Sequence, residues 1–420
     1  MPHVYTEGDL KMDFKQKRWR NLAAAMLLAL CSGIGYTWSV FQKPLMEDFD
    51  WALKAISLTF TIQVLVSTLA PVFIGKYQKV LGVRKYLWVG MGIYFAGLIA
   101  TMFTSSIGYL YIMYGVVVGI GISMLYPCLM SYSTSLFPDK TGMASGLLAC
   151  AYGGGSILWA PLAAYFTKQY GVLYVFGIFA VIFAVVMIPT SFLIDSVSAD
   201  FNPQSDKKNK KSINVVSVKN YTWQEMLKTV KFYIILIALT LGATSGLMIT
   251  GHASSMLQEI QKMTAEQAAL LIGFISIFNS MGRLTFGFVS DKFGRYNVML
   301  ALFSIIGFAM ILLTKSSGNV FNGSLLAISA CYGGFTSMFS PICADNFGMK
   351  NLSINYTFLY VAYGIAGVIG PQLAAWTKTV SGGYNLAFIT VAVMSAVGLG
   401  LTFMLKIMNL KQTAIVRSRL

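Results

Sequence analysis

The chain has 420 residues, of which 56% are hydrophobic and only 11% charged, and its formal net charge is +16. That much apolar sequence excludes an ordinary soluble domain, and runs of about 20 apolar residues mark membrane-spanning helices. The basic excess requires no nucleic-acid partner, because it gathers in segments that would face an anionic inner leaflet.

Twelve such runs are predicted, at residues 21–42, 54–76, 86–104, 108–134, 143–166, 172–194, 231–257, 267–289, 297–314, 321–343, 352–377 and 383–406. The expected fold is an all-α membrane protein of two six-helix bundles. A tail over 1–20 precedes the bundle 21–194, and a basic linker over 195–230 leads to the bundle 231–408 and a tail over 409–420. Residues 1–20 are polar and lack an apolar core, so no cleavable signal peptide is expected. With both ends inside, the inner segments hold 24 of the 31 Lys and Arg and the outer loops six. This bias predicts a multi-pass protein of the plasma membrane with cytoplasmic termini. One basic residue is left over, and it is Arg283.

In chain order, the first run carries SGIGYTWSVFQKPL (32–45). Gly33 and Gly35 there allow close helix approach. Tyr36 and Trp38 read either as packing or as pocket-lining aromatics, and Trp38 also as an interface anchor. A Gly-framed basic turn, GKYQKVLGVRK (75–85), follows the second run. The fourth run ends in MLYP around Tyr126, and the fifth holds AYGGGSILWAP, rich in small residues. Pro127 and Pro161 predict kinks. The linker contains a solvated basic run, Asp206–Lys211, and Thr222 with Glu225 forms a capping-box pattern. All five Cys fall in helices, which reads as apolar packing rather than as disulfides or metal ligands.

The second half repeats the first. GKYQKVLGVRK at 75 matches GFVSDKFGRYN at 287, an offset of 212. Gly119, Ser123, Met124 and Pro127 match Gly333, Ser337, Met338 and Pro341 at offset 214. Ala151-Tyr152-Gly153 falls on Ala362-Tyr363-Gly364. Paired six-helix halves form a substrate site near the membrane midplane and rock about it.

Arg283 interrupts the eighth run. At 1.5 Å per residue it lies about 12 Å from Asp291 and about 26 Å from Glu266, near mid-membrane. An intramembrane charge costs at least about 2.5–3.5 kcal/mol. All 15 Asp and Glu fall in tails, loops or helix ends, so no carboxylate is expected beside it. One reading is a structural Arg that snorkels or binds backbone carbonyls. The other, preferred here, is a cation that awaits an anionic ligand, with Asn279 one turn away to share the ligand or hold the guanidinium.

The twelve runs, the repeat and the turn GFVSDKFGRY resemble the major facilitator superfamily over essentially the whole chain. Gly287, Asp291, Lys292, Gly294 and Arg295 make up its conformational turn. In the first-half turn Lys79 stands where an Asp is usual, so a charge latch of the family kind is not expected there. SGIGYTWSVFQKP, LFPDKTGMASG and NSMGRLTFGFVSDKFGRY are similar to the oxalate/formate antiporter family, related to bacterial monocarboxylate transporters. The resemblance implies that Arg283 binds a substrate carboxylate. It also aligns Tyr126 and Tyr332 with pocket aromatics, and His252 with a histidine that contacts lactate. His252 reads alternatively as a polar residue at the outer mouth. Tyr363 occupies the position where oxalate carriers place a second cation, which points away from oxalate.

The expected function is secondary transport of a small organic anion, a monocarboxylate of the lactate, pyruvate or formate type, with proton symport through His252. Oxalate/formate-type exchange is the alternative, and a transporter-like membrane sensor is the alternative of another class. The chain is expected to work as a monomer, without cofactor or metal. It holds no HExxH, intramembrane carboxylate or phosphate-cradling loop of the kind a membrane enzyme would need.

Overall fold

The computed structural model describes residues 7–195 and 220–417. Residues 1–6, 418–420 and most of the linker, including Asp206–Lys211, lie outside the described residues.

Each predicted run falls on one long helix. α1 is Glu7–Ser32, which continues through a tight turn at Gly33–Thr37 into Trp38–Phe49. α2 is Leu53–Ile74, α3 Val83–Thr101, α4 Ile107–Leu136, α5 Thr141–Tyr170 and α6 Val172–Ser191. After the linker come α7 Val230–Ile260, α8 Ala265–Phe293, α9 Arg295–Lys315, α10 Gly318–Phe347, α11 Leu352–Ser381 and α12 Asn385–Arg417. Among the described residues ten helices are long and apolar enough to cross a membrane, and α1 with its continuation, bent by 49°, makes an eleventh if the pair is one span. α3 opens with Arg84 and Lys85, which lower the apolar content of its first turn. Twelve alternating helices put the start of α1 and the end of α12 on one face, the terminal face.

Two helices outrun their predicted ends by about three turns or more. α1 begins at Glu7, inside what the sequence reads as a tail, and α12 continues to Arg417. The segment LKMDFKQKRWR has no Gly or Pro to stop a helix, but its charges hide it from a search for apolar runs. Arg18 pairs with Asp139 at 2.9 Å and covers the Phe137 ring, and Arg20 pairs with Asp195 at 2.6 Å. The capping box at Thr222 and Glu225 forms as its spacing predicts.

The repeat has a conformational signature. Gly82 opens α3 at φ 76° and Gly294 opens α9 at φ 86°, the left-handed region that a side chain disfavours. The two positions are related by the same offset that relates the basic turns. Between the halves, α5 packs along α8, and α2 along α11. Within the last six helices, α8 packs on α10 so closely that a Cβ at Gly333 would lie 2.0 Å from the Asn279 carbonyl oxygen. That approach fixes the height and rotation of the helix that carries Arg283.

Candidate functional site

Arg283 is only 1% exposed, on the seam between the two sets of six helices. Its Nε donates to Asn279 Oδ1 at 2.8 Å, one turn back on α8. Nη1 donates to the Ala149 carbonyl on α5 at 2.8 Å, and Nη2 to the Tyr36 hydroxyl on α1 at 3.2 Å. The guanidinium also lies 5.5 Å from the centre of the Tyr36 ring. Gly153 faces it from α5, where a Cβ would come within 2.5 Å of Nη1. Among the described residues no carboxylate pairs with Arg283.

A guanidinium carries five N–H donors. Three are engaged, which leaves one on each terminal nitrogen. That pair is the number a carboxylate takes when it binds an Arg with both oxygens.

Tyrosines close the site. The Tyr36 and Tyr363 hydroxyls lie 3.2 Å apart, and Tyr332 donates to Tyr363 at 3.1 Å. Those two bonds use two of the three hydroxyl hydrogens, so one, on Tyr36 or Tyr363, is left to a ligand. Tyr126 stacks on Tyr152 at 4.0 Å, and Tyr360 stacks on Tyr363 at 5.4 Å. Tyr36, Tyr126, Tyr152, Arg283, Tyr360 and Tyr363, with Thr336 and Phe339, surround a cavity of about 10 Å³. That is room for a single water, so the site is shut around its cation.

The structure thus brings Arg283, Asn279, Tyr36, Tyr126, Tyr332 and Tyr363 together. It also adds Tyr152 and Tyr360, which sequence reasoning missed. Tyr152 is the repeat partner of Tyr363, and Tyr360 precedes Tyr363 by one turn; both signals were available. Trp38 is packing: it is buried against Tyr114, with ring centres 4.5 Å apart. His252 is not brought to Arg283. Its Nε2 sits 3.0 Å from the Pro371 carbonyl on α11 and its ring 6.1 Å from Tyr384, between α11 and α12.

The turn from Gly287 to Arg295 sits at the terminal face. Asp291 accepts from the backbone N–H of Gly142 at 2.9 Å and of Met143 at 2.7 Å, which caps the first turn of α5. A carboxylate there complements the positive end of the helix dipole. Gly287 lets α8 approach, since a Cβ would lie 2.4 Å from the Gly142 carbonyl oxygen. Arg295 ties Asp291 at 2.6 Å to Asp345 at 3.1 Å and to Thr141. Lys292 lies over the Phe288 ring at 4.7 Å, outside that network. Gly294 supplies the positive φ that starts α9.

The equivalent first-half turn meets α11 with the opposite sign. Lys79, the repeat partner of Asp291, donates to the Asn351 side chain, and Ser353 donates to Gln78. Burial first, and then Lys350, push the Lys79 ammonium below its usual range. A cation at the start of a helix opposes the dipole. A polar hook does exist at this turn, but it is weaker than the Asp291 latch. Further in, Thr134 and Ser340 share a hydrogen bond at 2.8 Å, and Ser145 donates to the Ser337 carbonyl at 2.6 Å across the same seam.

Twelve long helices in two matching sets, with one buried cation on the seam between them, define a membrane transport protein. The profile of the Major Facilitator Superfamily matches residues 23–371 and again residues 253–415. The chain belongs to that superfamily. It is 29% identical to the oxalate:formate antiporter of Oxalobacter formigenes over 388 residues, 91% of this chain and 90% of that one. It is also 23% identical to monocarboxylate transporter 12 of Xenopus laevis over 70% of this chain and 67% of that one. Among solved structures, the transporter FucP in its outward conformation aligns at a TM-score of 0.71 and 14% identity, over 93% of this chain and 99% of that one. A bacterial homologue of ferroportin in its outward-facing state aligns at 0.67 and 14% identity, over 94% and 99%.

Proposed function

We propose that this chain carries small organic anions across the plasma membrane, most of all monocarboxylates of the lactate, pyruvate or formate type, and that Arg283 receives the carboxylate. The observation that carries the reading is the donor count at Arg283: three N–H groups engaged by neutral partners, one left on each terminal nitrogen, and, among the described residues, no carboxylate beside them. In a low-dielectric interior one fixed positive charge matches one negative charge. Relatives whose names specify oxalate, formate and monocarboxylates support the same class of substrate.

The bundles 21–194 and 231–408 would rock about this site, with both termini cytoplasmic. The Asp291–Arg295 latch, with Gly287, Lys292 and Gly294 in the same turn, would hold the terminal face closed while the other face admits the anion. Anion exchange is favoured over proton symport. The cavity-lining residues are one Arg, five Tyr, a Thr and a Phe, with no carboxylate or imidazole among them, and His252 hydrogen-bonds elsewhere. An unliganded Arg283 is also costly to enclose, so loaded return is preferred.

Counterflow in proteoliposomes tests the reading, with C1–C4 acids offered against labelled formate and the pH gradient set on or off. Failure of every acid to exchange, while the purified chain is folded and inserted, would leave a transporter-like sensor as the better account.

A further inference from the structure

The seam between Arg283 and the terminal face carries polar groups that the binding site does not use. α11 runs away from the terminal face, so Tyr360 and Tyr356 follow Tyr363 back toward it. Tyr360 stacks on Tyr363, and Tyr356 stacks on Tyr360 at 5.5 Å and 27°. Tyr360 also meets Tyr126 of the other half at 5.7 Å, so parting of the halves would uncover this ladder. The Tyr356 side chain is fully buried, yet its hydroxyl has no hydrogen-bond partner. Buried hydroxyls are normally paired, and an unpaired one destabilises the state that holds it. Phe would fill the same space without that loss.

We propose that Tyr356 is a transit subsite for the anion: once the terminal face opens, its hydroxyl donates to the carboxylate that has left Arg283. The proposal rests on the anion-carrier reading. In the closed state the hydroxyl waits without a partner, and in the open state the substrate supplies one. Between Arg283 and the terminal face the cross-seam groups Thr134, Ser340 and Ser145 are also neutral hydroxyls. A passage needs sites strong enough to accept an ion and weak enough to release it. Neutral donors after a single cation meet that requirement, whereas a second buried cation on the exit path would hold the anion.

The test is Tyr356→Phe in the full-length chain, with labelled formate as the probe. Equilibrium binding should stay within about twofold of the parent, while the exchange rate falls roughly fivefold, the scale of one neutral hydrogen bond. Thermal stability in detergent should be equal to the parent or higher, because an unpaired buried group has been removed. An unchanged exchange rate overturns the proposal. So does a parallel loss of binding and exchange, which would make Tyr356 a support of the closed site. Arg283→Lys, measured alongside, separates the two layers. If that variant binds and exchanges formate as the parent does, the assignment of the carboxylate to Arg283 fails; if the parent itself exchanges no formate, the anion-carrier reading fails, whatever Tyr356→Phe shows.

Discussion

Arg283 of α8 donates to the backbone carbonyl of Ala149 on α5, 2.8 Å away across the seam. The bond joins the two halves through a group that no side-chain substitution on α5 removes. It also makes the guanidinium part of the closure, because its Nη2 holds Tyr36 of α1 in the same half. On the proposed reading, a carboxylate that enters must fit beside these bonds, rocking of the halves must break them, and binding and closure therefore meet at one side chain.

Arg283→Gln and Arg283→Lys should both abolish transport while leaving insertion intact. Lys retains the charge but not the planar fork that serves Asn279, Ala149 and Tyr36 together. Each charge-assisted bond contributes about 1.5–3 kcal/mol, so losing even one predicts at least tenfold weaker binding. Normal formate uptake by the Gln variant would remove Arg283 from the site.

Gly153→Ala should weaken binding without a change of charge. The added Cβ would lie 2.5 Å from Nη1, so the guanidinium or α5 must shift. A misplacement on that scale at a charged contact is expected to cost on the order of tenfold in affinity. Unchanged affinity in a binding titration would mean that the seam has slack there.

Tyr363→Lys should turn selectivity toward oxalate. At an effective dielectric near 20, a second unit charge at roughly 4–6 Å contributes about 3–4 kcal/mol before desolvation. Desolvation of the Lys offsets part of that, which leaves a net preference of about tenfold to a hundredfold. Competition by lactate, formate and oxalate against labelled formate, in parent and variant, measures it. Tighter binding of oxalate than of any monoanion by the parent would defeat the one-charge argument.

His252→Ala should leave the pH dependence of uptake as it is in the parent, because His252 is bonded to Pro371 and stands apart from the Arg283 cavity. Uptake with the pH gradient on and off reads this directly. A blunted pH response with exchange intact would restore proton symport through His252.

Lys79→Asp should slow exchange and spare binding. The new carboxylate would sit at the first turn of α11, as Asp291 sits at that of α5, and would replace a cation that opposes the helix dipole. Each favourable charge at a helix end is worth about 0.3–1 kcal/mol, so reversal of the sign strengthens terminal-face closure by about 0.6–2 kcal/mol. That predicts roughly threefold to thirtyfold slower exchange. A variant that exchanges at the parent's rate would show that the α2–α11 hook does not limit opening.

Arg283 was legible in the sequence because a charge inside an apolar run is conspicuous, and Asn279 because four residues make one helical turn. The repeat was legible because both turns use Gly at the same step of the chain, where φ is positive. The same repeat pointed at Tyr152 through Tyr363. The spans were legible as apolar runs, but the start of α1 was not, since charged residues precede the apolar run there; of these, Arg18 and Arg20 pair with Asp139 and Asp195.

What the amino-acid order determined by itself is therefore one-dimensional: twelve runs, two matching halves, and a lone cation near the middle of the eighth run. The tertiary structure decided which groups surround that cation. Ala149 contributes a backbone carbonyl, which has no signature in residue type. Tyr152 and Tyr360 reach the cavity, while His252, equally polar and also in a span, turns to Pro371. The rotation of each helix about its axis makes that difference. Rotation is set by where neighbouring helices touch, as at Gly333 against Asn279 and Gly287 against Gly142, and those contacts exist only once the helices are assembled.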